Sequence, residues 1–572
     1  MRSFVGEALT IAILVFVLQS REIGAIGDSE NERIITKTAL GEIAGVTLKS
    51  RSGSNYYAFR GIRYAKPPIG KLRFQAPETI DPWTEIYDAT QDGPQCPQPK
   101  ITDTVRESED CLMLNIYTKE LSKNGTVPTD LKPVLFYIHP GGFYASSGLS
   151  ALFNADYLMD HDVVLVTINY RLGSLGYMST GTKDSPGNAG FKDQVEALKF
   201  VRDHISAFGG NPNSVTALGY SAGALSITLH MVSPMSQGLF HRAIVMSASA
   251  TGQWSPPQHQ LELAEKQARL FNCTTATPHE MVMCLQNVDA LEMGRRLPEM
   301  FEWGKGNPVL LWKPVIEPDF GQERFLTEDP TISYLEGRYM KVPVITGITK
   351  DEFVTLAHGV LSNDTLKYEF DAKFNELAPI CFLYERNTEK SKRISQTLRK
   401  KYVNFPLISE TRLPQLGELF SDSTIGFSVH RFAELASRHS KVFYYKHTFR
   451  GRYSFFYYPE SKPYGVVHHD DLLYLFGVPL LAPTFGQNDP ENLNVERMTR
   501  MWTTFAEKGN PNDPTDEYLK VLKWTPYSPL LDNYLEIGNE ENFAMKQGLY
   551  ADRYSIWDEL FPLPVTNKSQ HL

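Results

Sequence analysis

The pentapeptide Gly219-Tyr220-Ser221-Ala222-Gly223 constrains this chain most, because of what stands on either side of it. Residues 214–218 read as a short buried strand, and residues 222–231 open a helical pattern. A strand that turns into a helix this abruptly leaves no room for side chains flanking the turn, so glycine is required there. Ser221 is thereby lifted above the end of the strand, at a helix N-terminus whose dipole and unpaired N–H groups favour developing negative charge. A bare Gly-x-Ser-x-Gly arises often by chance. With a strand before it and a helix after it, Ser221 becomes a candidate nucleophile.

The surrounding sequence supplies the scaffold such a turn needs. Residues 134–139, 163–170, 214–218, 243–246 and 342–347 are β-branched or apolar runs of the kind buried in a parallel sheet. Helical patterns, such as 191–205 and 222–231, lie between them. Strands alternating with helices predict an α/β fold with a mostly parallel sheet flanked by helices. Residues 261–400 are helix-rich and are expected to form a helical cap or excursion. A chain of 572 residues exceeds most single domains, but no internal repeat or low-complexity linker divides it. One domain over residues 25–572 is expected.

A second glycine turn, His139-Pro140-Gly141-Gly142-Phe143, closes the run 134–139 upstream of the elbow. Turns of this kind at a strand end present backbone N–H groups to a tetrahedral intermediate, together with the N–H following the nucleophile. That assigns Gly141, Gly142 and Ala222 as oxyanion donors, each worth about 3 kcal/mol of barrier. Pro140 has no N–H and is excluded.

The compartment is read from the N-terminus and the cysteines. Met1 and Arg2 precede an apolar run over residues 8–18, too short to span a bilayer and suited to a signal peptide ending near residue 24. No second long apolar run follows and residues 567–572 are polar, so no membrane anchor is expected. Five cysteines fit two short-range bridges and one free thiol: Cys96 lies near Cys111, Cys273 lies near Cys284, and Cys381 stands alone. Five reduced core cysteines are the alternative if no signal peptide operates. Sequons begin at Asn124, Asn272, Asn363 and Asn567, and Asn272 abuts a cysteine. A net charge of −9 leaves no basic surplus for a nucleic-acid partner.

Further motifs carry a resemblance. Phe59-Arg60-Gly61-Ile62-Arg63-Tyr64-Ala65, Glu109-Asp110-Cys111-Leu112-Met113-Leu114-Asn115 and Asn169-Tyr170-Arg171-Leu172-Gly173, with the elbow, resemble the type-B carboxylesterase and cholinesterase family, most closely its insect secreted esterases. The likeness covers nearly the whole chain after the leader and implies an α/β-hydrolase fold. It also implies a triad in the order serine, acid, histidine. Lys350-Asp351-Glu352 places Glu352 as the acid, and Gly465-Val466-Val467-His468 places His468 as the base. Asp351 is then expected as a surface charge or salt-bridge partner, and His469 as the rival base. The resemblance further implies the Cys96–Cys111 and Cys273–Cys284 bridges, and buried ion pairs of Arg73 with Glu109 and Arg171 with Asp193. Ser247 matches a serine near the triad, and Trp254 falls where the family places an acyl-pocket aromatic.

Two departures narrow the substrate. The family usually has glutamate before the nucleophile, juvenile-hormone esterases typically glutamine, and this chain has Tyr220. The loop from Cys96 to Cys111 contains no tryptophan, where cholinesterases carry their choline-stacking indole. Cholinesterase activity is therefore not expected, and small-molecule esters of apolar or short-chain acids remain. No cofactor or metal is called for. The competing expectation from another class is a silent adhesion protein or an ester-binding carrier, against which Ser221, Glu352 and His468 all stand.

Overall fold

The computed structural model describes residues 32–565, apart from 101–104, 123–125, 305, 405–407, 457–464 and 522. The expected leader and the sequons at Asn124 and Asn567 lie outside the described residues. Thirteen strands among the described residues pair into one sheet. They are β1 (Arg33–Thr38), β2 (Gly41–Lys49), β3 (Asn55–Arg63), β4 (Tyr87–Asp88), β5 (Met113–Thr118), β6 (Lys132–Ile138) and β7 (Val164–Ile168). After these come β8 (Gly210–Tyr220), β9 (Arg242–Met246), β10 (Val344–Thr349), β11 (Val442–His447), β12 (Asn533–Ile537) and β13 (Phe543–Gln547). Their order is β1-β2-β3-β5-β7-β6-β8-β9-β10-β11-β12-β13, with β4 beside β2. Neighbours from β7 through β12 are parallel. Antiparallel pairs close both edges, β1-β2-β3-β5-β7 on one side and β12-β13 on the other.

The five expected strand runs are β6, β7, β8, β9 and β10. Each lies inside the sheet and is covered on both faces, which is why each reads as a nearly unbroken apolar run. Alternation along them splits the interior into two cores. On β6, Val134, Phe136 and Ile138 face the first core and Leu135 and Tyr137 the second. On β8, Val215 and Ala217 face the first, while Leu218 and Tyr220 face the second. The helices Ala189–His204 and Ala222–Val232 cover the first core. The helix Asn492–Lys508 covers the second with Val495, Met498, Trp502 and Phe505, a stripe at helical spacing.

The helix-rich stretch 261–400 is two groups of helices rather than one excursion. Leu261–Leu270, Pro278–Leu285 and Ala290–Arg295 precede β10; Val354–Leu361, Asp364–Ala372, Phe374–Cys381 and Glu389–Leu398 follow it. The helical layer continues past residue 400 through Leu413–Ser421 and Phe427–Ser437 before β11.

Both expected bridges are formed, Cys96–Cys111 and Cys273–Cys284, and Cys381 is a buried free thiol. Closing loops of 15 and 11 residues contributes about 3 kcal/mol each by loop entropy. Arg73 reaches both oxygens of Glu109, at 2.5 and 2.6 Å. Arg171 donates to both oxygens of Asp193, at 2.8 and 2.6 Å, with both side chains buried. Asn272 and Asn363 are exposed, and Asn363 also caps a helix by accepting from the Leu366 N–H at 3.1 Å. No helix among the described residues is long and apolar enough to cross a membrane.

Candidate active site

β8 runs without a break into the turn, and the helix begins at Ala222. Ser221 between them has φ 53° and ψ −118°, a conformation that costs an L-residue on the order of 1–3 kcal/mol. Its N–H donates to the Met246 carbonyl of β9 at 2.9 Å, and its carbonyl accepts from Leu225 at 2.9 Å. The amides of Ala222, Gly223 and Ala224 precede that first helical bond and have no acceptor within the helix. A Cβ on Gly219 would stand 2.5 Å from the Gly223 carbonyl, and one on Gly223 would overlap the Ile138 oxygen at the end of β6. Both glycines therefore hold the elbow closed, the second by bringing the helix start against the upstream turn.

That turn begins where β6 ends. Gly141 and Gly142 take φ of 113° and 60°, and the Gly141 carbonyl accepts from Tyr144 and Ala145, each at 3.0 Å. His139 is stacked on Tyr170 at 4.3 Å and closes onto the Pro140 carbonyl through Nδ1 at 2.7 Å. Gly142 and Ser221 keep partial exposure among buried neighbours.

The acid and the histidine come from the ends of different elements. Glu352 follows β10, and one of its oxygens lies 2.5 Å from His468 Nδ1. The other accepts from Ser247 Oγ at 2.6 Å and from the Thr349 N–H at 2.8 Å. The His468 N–H donates to the Glu352 carbonyl at 2.8 Å, so backbone and side chain are both paired. The Phe353 ring packs against the imidazole, with centroids 4.4 Å apart. Burial pushes the Glu352 carboxyl up, opposed by the Ser247 and Thr349 bonds, and pushes the His468 imidazole down. The pair thus holds a neutral imidazole at neutral pH. His468 Nε2 is buried, and no hydrogen bond joins it to the Ser221 hydroxyl.

The residues expected at the site are distributed as follows. Glu352, His468 and Ser247 form one bonded chain, and Ser221 is tied to it through β9, whose Met246 holds the Ser221 amide one residue before Ser247. His469 is not equivalent to His468: both its ring nitrogens are buried without a partner, and it has no carboxylate. Asp351 is not a surface charge, and among the described residues it forms no salt bridge. It is half-buried and accepts the Val466 N–H at 2.9 Å, while its own N–H donates to the Val466 carbonyl at 2.8 Å. These two bonds clasp the acid turn to the histidine loop. Trp254 is 8% exposed and packed in the first core beside Gly252. The clasp by Asp351 and the Phe353 wall were missed because only proximity in space reveals them; their position beside Glu352 is the one signal the chain offers.

Comparison with known proteins gives one answer at three levels. The carboxylesterase family profile matches residues 32–557. Juvenile hormone esterase of Tribolium castaneum is 33% identical over 91% of this chain and 92% of its own length. Venom carboxylesterase-6 of Apis mellifera is 33% identical over 89% and 92%. The crystal structure of juvenile hormone esterase from Manduca sexta, with OTFP covalently attached, superposes with a TM-score of 0.81 at 27% identity, over 93% of this chain and 100% of that one. The mostly parallel sheet with flanking helices is accordingly the α/β-hydrolase fold, and the protein is a carboxylic-ester hydrolase belonging to the carboxylesterase family.

Proposed function

We propose that this chain is a secreted serine esterase that cleaves small carboxylic esters to acid and alcohol through an acyl-enzyme on Ser221. The observation that carries the reading is the 2.5 Å contact of Glu352 with His468 Nδ1, which leaves Nε2 as the free basic nitrogen of a ring held beside the elbow. Ser221 Oγ attacks the ester carbonyl as its proton passes to Nε2. The same proton then goes to the departing alkoxide, releasing the alcohol. Water repeats the sequence on the acyl-enzyme: its proton goes to Nε2, the acid departs, and Ser221 Oγ regains a proton. Glu352 fixes the imidazole tautomer and stabilises the imidazolium. The N–H groups of Gly141, Gly142 and Ala222 receive the oxyanion. The bond from Ser221 to Nε2 is absent in the free protein, and such bonds tighten when substrate binds.

Trp254 forms the acyl-side wall in this reading, so Trp254→Ala is expected to shift preference toward longer acyl chains in a panel of p-nitrophenyl esters. The covalent OTFP in the Manduca sexta neighbour supports a nucleophile of this kind. Secretion is supported by the two disulfides and by exposed sequons at Asn272 and Asn363. The decisive experiment is labelling with a fluorophosphonate. Incorporation of one label per chain is expected at Ser221 and none in Ser221→Ala. Intact, folded protein that resists the reagent and leaves p-nitrophenyl butyrate uncleaved would overturn the assignment.

A further inference from the structure

Tyr220 is the residue at which this chain departs from the family directly beside the nucleophile, and its surroundings give it a task. It is the last residue of β8, and alternation along that strand turns its side chain into the second core, where it is wholly buried. Its hydroxyl accepts the backbone N–H of His469 at 2.8 Å. Its ring lies 5.0 Å from the His468 ring and 5.0 Å from that of His469. Asp471 is buried near the same hydroxyl and accepts from the Tyr445 hydroxyl at 3.1 Å.

Each contact follows from phenol chemistry. A tyrosine hydroxyl accepts an N–H and donates its own proton at once, and an ionised carboxylate is acceptor-only. Tyr220 therefore accepts the His469 amide while staying neutral beside the buried Asp471 and Glu352. A glutamate here would accept the same amide but add a third carboxyl to a buried cluster already holding Glu352 and Asp471, where like charges are costly. Burial keeps the Tyr220 hydroxyl protonated at any working pH. The amide it holds is a demanding one: His469 has φ 79°, a left-handed conformation that a non-glycine residue keeps only when its surroundings enforce it.

We propose that Tyr220 is a positioning residue for ester hydrolysis: by holding the His469 amide and flanking the His468 ring, it fixes the imidazole relative to Ser221, its own neighbour in the chain. This rests on the assignment of Ser221 and His468 made above. Tyr220 touches no substrate; it acts through the place it gives His468. Loosening the ring slows proton transfer from Ser221 Oγ to Nε2 and leaves the pocket that binds the ester unchanged, so kcat falls and KM does not.

The test compares Tyr220→Phe with Tyr445→Phe in the full chain. Both lose a buried hydroxyl near Asp471, and only the first loses the anchor of His469. Fluorophosphonate stoichiometry, kcat and KM are measured on p-nitrophenyl butyrate. Tyr220→Phe is expected to lower kcat about ten- to a hundredfold with KM changed less than about threefold, while still accepting one label per chain. Tyr445→Phe is expected to keep kcat within about threefold of the parent. A Tyr220→Phe enzyme with parental kcat, or an equal loss in Tyr445→Phe, would overturn the proposal. If Tyr220→Phe is not recovered folded, Tyr220→Gln, which retains an acceptor for the amide, is expected to hold kcat within about tenfold, and a loss beyond about a hundredfold in fully labelled protein would count against it. Failure of the parent enzyme to label or turn over would refute the catalytic assignment itself, and this proposal with it.

Discussion

Ser221 keeps its side chain where the backbone would prefer none. Its positive φ is the conformation that glycine adopts freely and that a Cβ penalises. Two variants that remove the proposed nucleophile should therefore differ in stability. Ser221→Gly is expected to be more stable than Ser221→Ala by about 1 kcal/mol, read from urea midpoints, although neither accepts the fluorophosphonate. Equal midpoints would show that the elbow carries no local strain. The pKa of His468 is lowered by burial, so if it is the base of the proposed mechanism, the neutral form is retained on the acid side of 6.5 and activity is lost only as pH falls through that lowered value. A kcat/KM profile on an uncharged ester, carried from about pH 9 down to about pH 3, should have its acid limb well below about 6.5, and an inflection above about 7 would contradict the burial argument.

At the scale of elements, the helix Ala222–Val232 starts hard against the end of β6. Gly223→Ala would drive a methyl into the Ile138 carbonyl, so it is expected to destabilise by more than about 3 kcal/mol or to yield no folded protein. Gly359, inside the helix Val354–Leu361, has open space where a Cβ would go. Gly359→Ala is expected to be neutral or to stabilise by up to about 1 kcal/mol in the same assay. This contrast also marks what a sequence can reveal. β6 and β8, the elbow and both glycine turns were legible because local patterns dictate them: apolar runs for strands buried on both faces, glycine where a turn leaves no space. The pairing of Glu352 with His468 was legible through their matching motifs and chain order. The antiparallel edges β1–β3 and β12–β13 were not anticipated, because strands there follow no clean apolar run or alternation and are fixed by their partners. Asp351 and Tyr220 were read by residue type, one as a surface charge and the other as a missing charge. Their contacts are with backbone amides over a hundred residues away.

The molecule as a whole is two cores separated by one sheet, and ion pairs bolt its loops to that interior. Arg171, just after β7, meets Asp193 in the helix Ala189–His204 with both groups removed from water. Asp193→Asn leaves the guanidinium without its counter-charge, and a loss of about 3–5 kcal/mol is expected in urea unfolding. A loss under about 1 kcal/mol would mean that water enters the site. Cys381 adds a feature of a different kind. Burial pushes its thiol well above the usual range, so the folded protein offers the two bridges no thiolate to attack. Unfolding exposes that sulfur in the same chain as four oxidised partners. Heat damage to this protein should thus become permanent through reshuffled pairings, and blocking the one thiol after unfolding should preserve the native linkages for recovery on cooling.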